Sequence, residues 1–175
     1  MTARVALDFD VAALYSALDA ERTARGIPWQ QLAREVNAQF AGTLARPISP
    51  STISRTRLGG VLEGDTGLQL LRWLGRTPES FVPGHAGSSG AEGRLPELGR
   101  DQILRFDARV LYAALDAQRQ ERGLTWAEVA SEIGDFSAAS LRLLEKGGRV
   151  AFPSVMRIVR WLGRPAASFT RASAR

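Results

Sequence analysis

An internal duplication constrains this chain more than any other feature. The segment FDVAALYSALDAERTARGIPWQQLAREV (9–36) aligns without a gap to FDARVLYAALDAQRQERGLTWAEVASEI (106–133), with about half of the positions identical. A second block, LQLLRWLGRTPESF (68–81), aligns equally well with MRIVRWLGRPAASF (156–169). Self-similarity on this scale means one supersecondary unit built twice. The offset falls from 97 to 88 between the blocks, so the first copy holds nine additional residues. The expected organisation is an N-terminal domain over 1–83, a linker over 84–104 and a C-terminal domain over 105–175. The stretch PGHAGSSGAEGRLPELGR (83–100) is Gly- and Ser-rich and poor in apolar residues, which predicts a flexible coil. About 17 residues of such coil have a root-mean-square span near 23 Å and extend to about 55 Å.

Each copy reads as a short helical bundle. Asp10 and Asp107 are N-cap candidates for a first helix that ends near Gly26 and Gly123. Leu14, Leu18, Leu111 and Leu115 stand at helical spacing and face the core, with Tyr15 and Tyr112 packing beside them. Thr125-Trp126-Ala127-Glu128 is a capping box for the second helix of copy two. Copy one uses Pro28 and Gln31 at the same place. Leu32, Val36, Val129 and Ile133 form the next apolar stripe. A third helix starts at Ser49-Pro50 and at Ser137, and glycine pairs close it (Gly59-Gly60, Gly147-Gly148). A fourth helix ends in Trp-Leu-Gly, and a short turn follows near Thr77-Pro78 and Pro165. Strands have no clear place in this pattern.

Composition narrows the chemistry. There are no cysteines, so thiolate metal sites, disulfides and cysteine nucleophiles are excluded. The one histidine, His85, falls in the linker without metal-ligand neighbours and reads as solvated. Asp19 and Asp116 recur in helix one, where Arg22 and Arg119, three residues on, are the plain partners. No catalytic residue, metal or cofactor is expected, and the chain does not read as an enzyme. No apolar run reaches the length of a membrane span. Met1 to Phe9 lacks a secretory leader pattern, so a cytoplasmic protein without membrane contact is expected. The net charge is +5, carried almost wholly by arginine. Coding bias accounts for the Arg/Lys ratio, but the excess positive charge suits an anionic partner. It lies unevenly: 1–83 holds +1, 84–104 holds −1 and 105–175 holds +5.

The segment LTWAEVASEIGDFSAASLRLLEKGGRVAFPSVMRIVRWLG (124–163) resembles the phage-repressor and XRE class of helix-turn-helix proteins. The resemblance rests on Ala130 and Gly134 at the turn, Ser137 opening the third helix, Leu141 and Leu144, then Glu145, Gly147, Leu162 and Gly163. SPSTISRTRLGG (49–60) matches the third helix more closely. The resemblance implies an all-α chain of two tandem lambda-repressor-like helix-turn-helix bundles joined by a flexible linker. Copy one departs from the pattern by placing NAQFAGTLARPI (37–48) where the tight turn belongs. Either its second helix runs on, or a loop projects there. Copy two has one extra turn residue (Asp135-Phe136).

In this class the third helix enters the major groove. The base-reading candidates implied are Ser49, Pro50, Ser51, Ser54 and Arg55 in copy one, with Ile53 turned inward. In copy two they are Ser137, Ala138 and Arg142, beside Ala139 and Leu143. Arg55 is the strongest, since a bidentate Arg–guanine pair discriminates by about 1–3 kcal/mol. Phosphate candidates are Gln30 and Gln31 at a helix N-terminus, together with Arg57, Lys146 and Arg149. Trp29, Trp126, Trp73 and Trp161 read as packing rather than base stacking. A division of labour is expected, with copy one reading sequence and copy two adding electrostatic grip. Together these features imply a sequence-specific transcription regulator, a repressor, on double-stranded DNA. It would act as a monomer on an asymmetric site spanning adjacent major grooves about 34–36 Å apart, or as a homodimer. The alternative is an antitoxin-like or adaptor module using the same folds as docking surfaces.

Overall fold

Local side-chain chemistry starts most of the helices. The computed structural model describes residues 8–84 and 93–174. The first half runs α1 (Val11–Ala24), α2 (Trp29–Ala38), α3 (Pro50–Arg57) and α4 (Gly64–Leu74), then a 3-10 turn, Pro78–Phe81. The second runs β1 (Ile103–Phe106), α5 (Ala108–Glu121), α6 (Trp126–Ile133), α7 (Ala138–Leu143), α8 (Phe152–Leu162), a 3-10 turn (Ala166–Phe169) and β2 (Thr170–Ser173). The chain is mostly helical. The Asp10 and Asp107 carboxylates accept from the backbone N–H of Ala13 and Val110, giving α1 and α5 the same N-cap. Thr125 and Glu128 form the reciprocal capping box of α6. Pro28 caps α2 without a side-chain bond. Gln31 does not reach back to the cap as expected; its amide donates down the helix to Glu35 at 3.4 Å. Gly75 and Gly163, at φ 66° and 67°, end α4 and α8 in the left-handed conformation.

Two sequence expectations are corrected. The all-helical reading omitted strands, yet β1 and β2 pair antiparallel, with Phe106 opposite Thr170 and Ile103 opposite Ser173. The flexible-linker reading fails over 93–104, because Leu95, Ile103 and Leu104 are buried in the common core. The Gly42 N–H also donates to Arg100 O at 2.7 Å. Residues 85–92, His85 among them, lie outside the described residues.

A single core spans both halves. Gly64 N–H donates to Val150 O, and Phe152 N–H donates to Leu62 O, both at 2.8 Å. At the repeat offset of 88, Gly64 corresponds to Phe152 and Leu62 to Val150. The two bonds are therefore each other's image across a pseudo-two-fold axis, which passes by the antiparallel bridge Glu63–Ala151. The side chains around this axis are complementary rather than identical. A Cβ on Gly67 would come within 2.3 Å of the Phe152 ring, and one on Gly64 within 2.7 Å of Phe106. Phe9 packs on Phe152 at 4.6 Å between ring centroids. Asp8 forms a two-oxygen pair with Arg157 at 3.0 and 2.7 Å. Its repeat counterpart, Arg105, carries the opposite charge and pairs with Asp65 at 2.5 Å. Buried Gln69 donates to Leu104 O at 2.6 Å, and the Glu79 carboxylate accepts from Ala166 N–H at 2.7 Å.

Candidate nucleic-acid interface

The α3 helix is held by its inner face and open on its outer one. Ser49 accepts from Thr52 N–H, and Pro50 occupies the first turn, where its missing N–H costs nothing. Ile53 and Thr56 are buried, whereas Ser51, Ser54, Arg55 and Arg57 are exposed. Gly59, at φ 77°, turns the chain out of the helix. Gly60 N–H then donates back to Arg55 O at 3.0 Å, so close that a Cβ on Gly60 would lie 2.8 Å from that oxygen. In the second half Ser137 and Ser140 cap α7 reciprocally, Leu141 is buried, and Arg142 and Leu143 point outward.

Asn37 and Ala38 carry α2 two residues past the counterpart of Ile133, where α6 ends, and the rest of the extra segment closes as a loop. Asn37 donates to Ile48 O and accepts from Ile48 N–H, both at 2.8 Å, so one amide side chain pairs with a backbone residue as a strand would. That clasp delivers Ser49 to the start of α3 and carries exposed Arg46 beside it. A groove of about 690 Å³ results, with Arg46, Ser51, Arg55 and Arg149 on its walls. Arg149 comes from the second half, so the groove straddles the two copies.

Not every predicted side chain has a free polar atom. Ser54 donates to Pro50 O at 2.8 Å. Ser49 and Ser137 are engaged as caps, and Ala138 is half-buried. Gln30 is exposed, while Gln31 is drawn to Glu35. Arg149 lies 3.5 Å from Glu63, with both side chains largely exposed. Arg55, Arg57, Arg142 and Lys146 are exposed and form no side-chain ion pair among the described residues. Arg46 and Arg109 join this basic surface without having been singled out in the sequence. Arg109 reaches it through Gly147 and donates to Lys146 O at 3.5 Å. Neither carries a sequence signal, because each position depends on a fold-back contact.

Matching networks brace α2 and α6 behind these surfaces. Trp73 donates to Glu35 at 2.9 Å, and Arg25 pairs with Glu35 at 2.9 Å while lying over the Trp73 ring. Trp161, Glu132 and Arg122 repeat the arrangement. The Trp73 hydrogen bond, helped by Arg25 and Gln31, holds the Glu35 carboxyl below the ordinary value of 4.5. Arg122, then Trp161, does the same for Glu132. Trp29 and Trp126 stack on Tyr15 and Tyr112 at 5.1 and 5.2 Å. Arg22 and Arg119 lie over those indoles and pair with Asp19 and Asp116. Among the described residues no helix is long and apolar enough to cross a membrane. Compared with known proteins, the chain matches no family model, no curated protein and no solved structure.

Proposed function

We propose that this chain is a cytoplasmic transcription regulator of the repressor type that binds duplex DNA through two helix-turn-helix units, α2–α3 and α6–α7. One observation carries the reading. Arg55 and Arg57 on α3 and Arg142 on α7 point outward and pair with no carboxylate among the described residues, while Ile53 and Leu141 anchor the inner faces. Guanidinium groups in that state suit phosphate oxygens and guanine edges. The pseudo-two-fold axis supports the same reading, because it relates the two helices as a dimer of separate subunits would. From Arg57 to Glu63 at the axis the chain covers at most about 20 Å, and from Lys146 to Ala151 at most about 17 Å. With about 5 Å across the Glu63–Ala151 bridge, chain length caps the distance between the helix ends at about 42 Å, above the roughly 34–36 Å between successive major grooves. One chain then reads two unequal half-sites as a monomer, with Arg55 facing one and Arg142 and Leu143 the other.

A second reading has its own observation. Leu44, Leu58 and Val61 are 89%, 83% and 83% exposed, and Leu143 is 57% exposed, all on or near these helices. Apolar side chains held out in this way also suit a protein partner. Selection of bound sequences from a random duplex pool decides between the two. DNA binding that falls by orders of magnitude between about 50 and 200 mM salt supports the first reading. Absence of any enriched sequence or mobility shift at low salt removes it.

A further inference from the structure

A second cleft, of about 760 Å³, lies between α2, the C-terminal end of α4 and residues 94–100. It shares no wall residue with the groove beside α3. Arg72 and Arg76 reach it from the end of α4, and Arg94 and Arg100 from the segment that crosses to the second half. None of the four forms an ion pair among the described residues. Of the two carboxylates on the wall, Glu35 is already held by Arg25 and Trp73. Glu97 is the other carboxylate among the four wall arginines, of which Arg76 lies over the Phe81 ring.

Arg72 is the most telling of these. Its one described acceptor is the neutral Gln69 Oε1 at 2.8 Å, and burial pushes its pKa down. Its repeat counterpart, Arg160, is exposed. Residues 94–100, anchored by buried Leu95, line the same cleft as Arg72. Partial burial of a cation without an anion is unfavourable, and a bound anion would offset it. Guanidinium forks engage phosphate oxygens two at a time, and the cleft has room for several phosphate groups together.

We propose that this cleft binds a small ligand of the diphosphate or triphosphate class, clamping residues 94–100 against α2 and α4. The proposal does not depend on DNA binding. It does place the ligand next to the loop that leads into α3, since Arg100 O accepts from Gly42 N–H.

Calorimetric titration of the full chain with inorganic pyrophosphate, and then with adenosine triphosphate, tests this at about 150 mM salt. The expected result is saturable binding of one ligand per chain. Arg94→Gln combined with Arg100→Gln, both at exposed positions, weakens it by about tenfold or more. Arg72→Gln acts in the same direction, while Arg55→Gln with Arg57→Gln leaves binding unchanged. The proposal is overturned by the absence of saturable binding. An equal loss in the Arg55 and Arg57 variant also overturns it, because that marks diffuse attraction to a basic surface.

Discussion

Arg55 and Leu143 occupy the same position of the repeat, offset by 88 residues, yet one presents a charged fork and the other an isobutyl group. A fork can satisfy both acceptors of a guanine edge, whereas a leucine can only touch a thymine methyl. On the DNA-binding reading, Arg55→Ala weakens specific binding by about 1–3 kcal/mol and relaxes base preference at one position. The unfolding midpoint should not move, because the side chain is exposed. Arg142→Ala should lower affinity more evenly across sequences. Binding-site selection with both variants checks this, and a larger change of preferred bases in Arg142→Ala would refute the division of labour. Glu35 sets a different expectation, one about stability. Its carboxyl is held below the ordinary value in the folded chain. That contribution is therefore present above the unfolded pKa and disappears as pH falls through the folded one. Acidification from about pH 6 to about pH 3.5 should lower the denaturant midpoint less in Glu35→Gln than in the wild-type chain. Equal slopes in the two would show that the Trp73 and Arg25 contacts do not stabilise the charged form.

The element that sets the first half apart is the loop between α2 and α3, and one side chain closes it. Asn37 satisfies both backbone groups of Ile48, whose side chain is buried. Asn37→Ala removes two hydrogen bonds and leaves the backbone groups of Ile48 without them, at a cost of roughly 1–3 kcal/mol. Amide exchange should rise first at Ile48 and at the start of α3. A uniform rise over the whole first half would argue that the loop is not an independent clasp. The helix starts were legible in the sequence because the caps at Asp10, Asp107, Ser49, Thr125 and Ser137 are encoded by the residues that begin each helix. The exposed faces of α3 and α7 followed from the same helical register. Asn37 could not be read, since its partner lies eleven residues away across an insertion. The strands were hidden for a similar reason. Ile103–Phe106 and Thr170–Ser173 pair only because the two ends of the second half meet. In the first half the position matching β2 holds Pro83-Gly84, which cannot continue a ladder.

At the scale of the molecule, the halves dock as complementary pieces. Gly67 carries the helix-interior cost of glycine, and it and Gly64 leave the space that Phe152 and Phe106 fill. Two copies of the second half would bring Phe152 against Val155, the repeat counterpart of Gly67, so the interface favours partners within one chain. Unfolding should accordingly follow one cooperative transition, not two. Gly67→Val forces side-chain volume onto the Phe152 ring and should cost about 1–3 kcal/mol or more. It should also split the melting curve into two steps. The same docking makes a prediction about DNA, conditional on the proposed function. A flexible tether would tolerate any spacing between half-sites within its reach, whereas halves locked through Gly64, Phe152, Asp8 and Arg157 present their third helices at one distance and one rotation. Inserting about 5 base pairs between selected half-sites turns the second onto the opposite face of the duplex. The wild-type chain should then lose the second contact and fall to the affinity of a single half-site, while Gly67→Val should be much less sensitive to the insertion. A wild-type chain indifferent to the insertion would mean that the two halves separate on DNA.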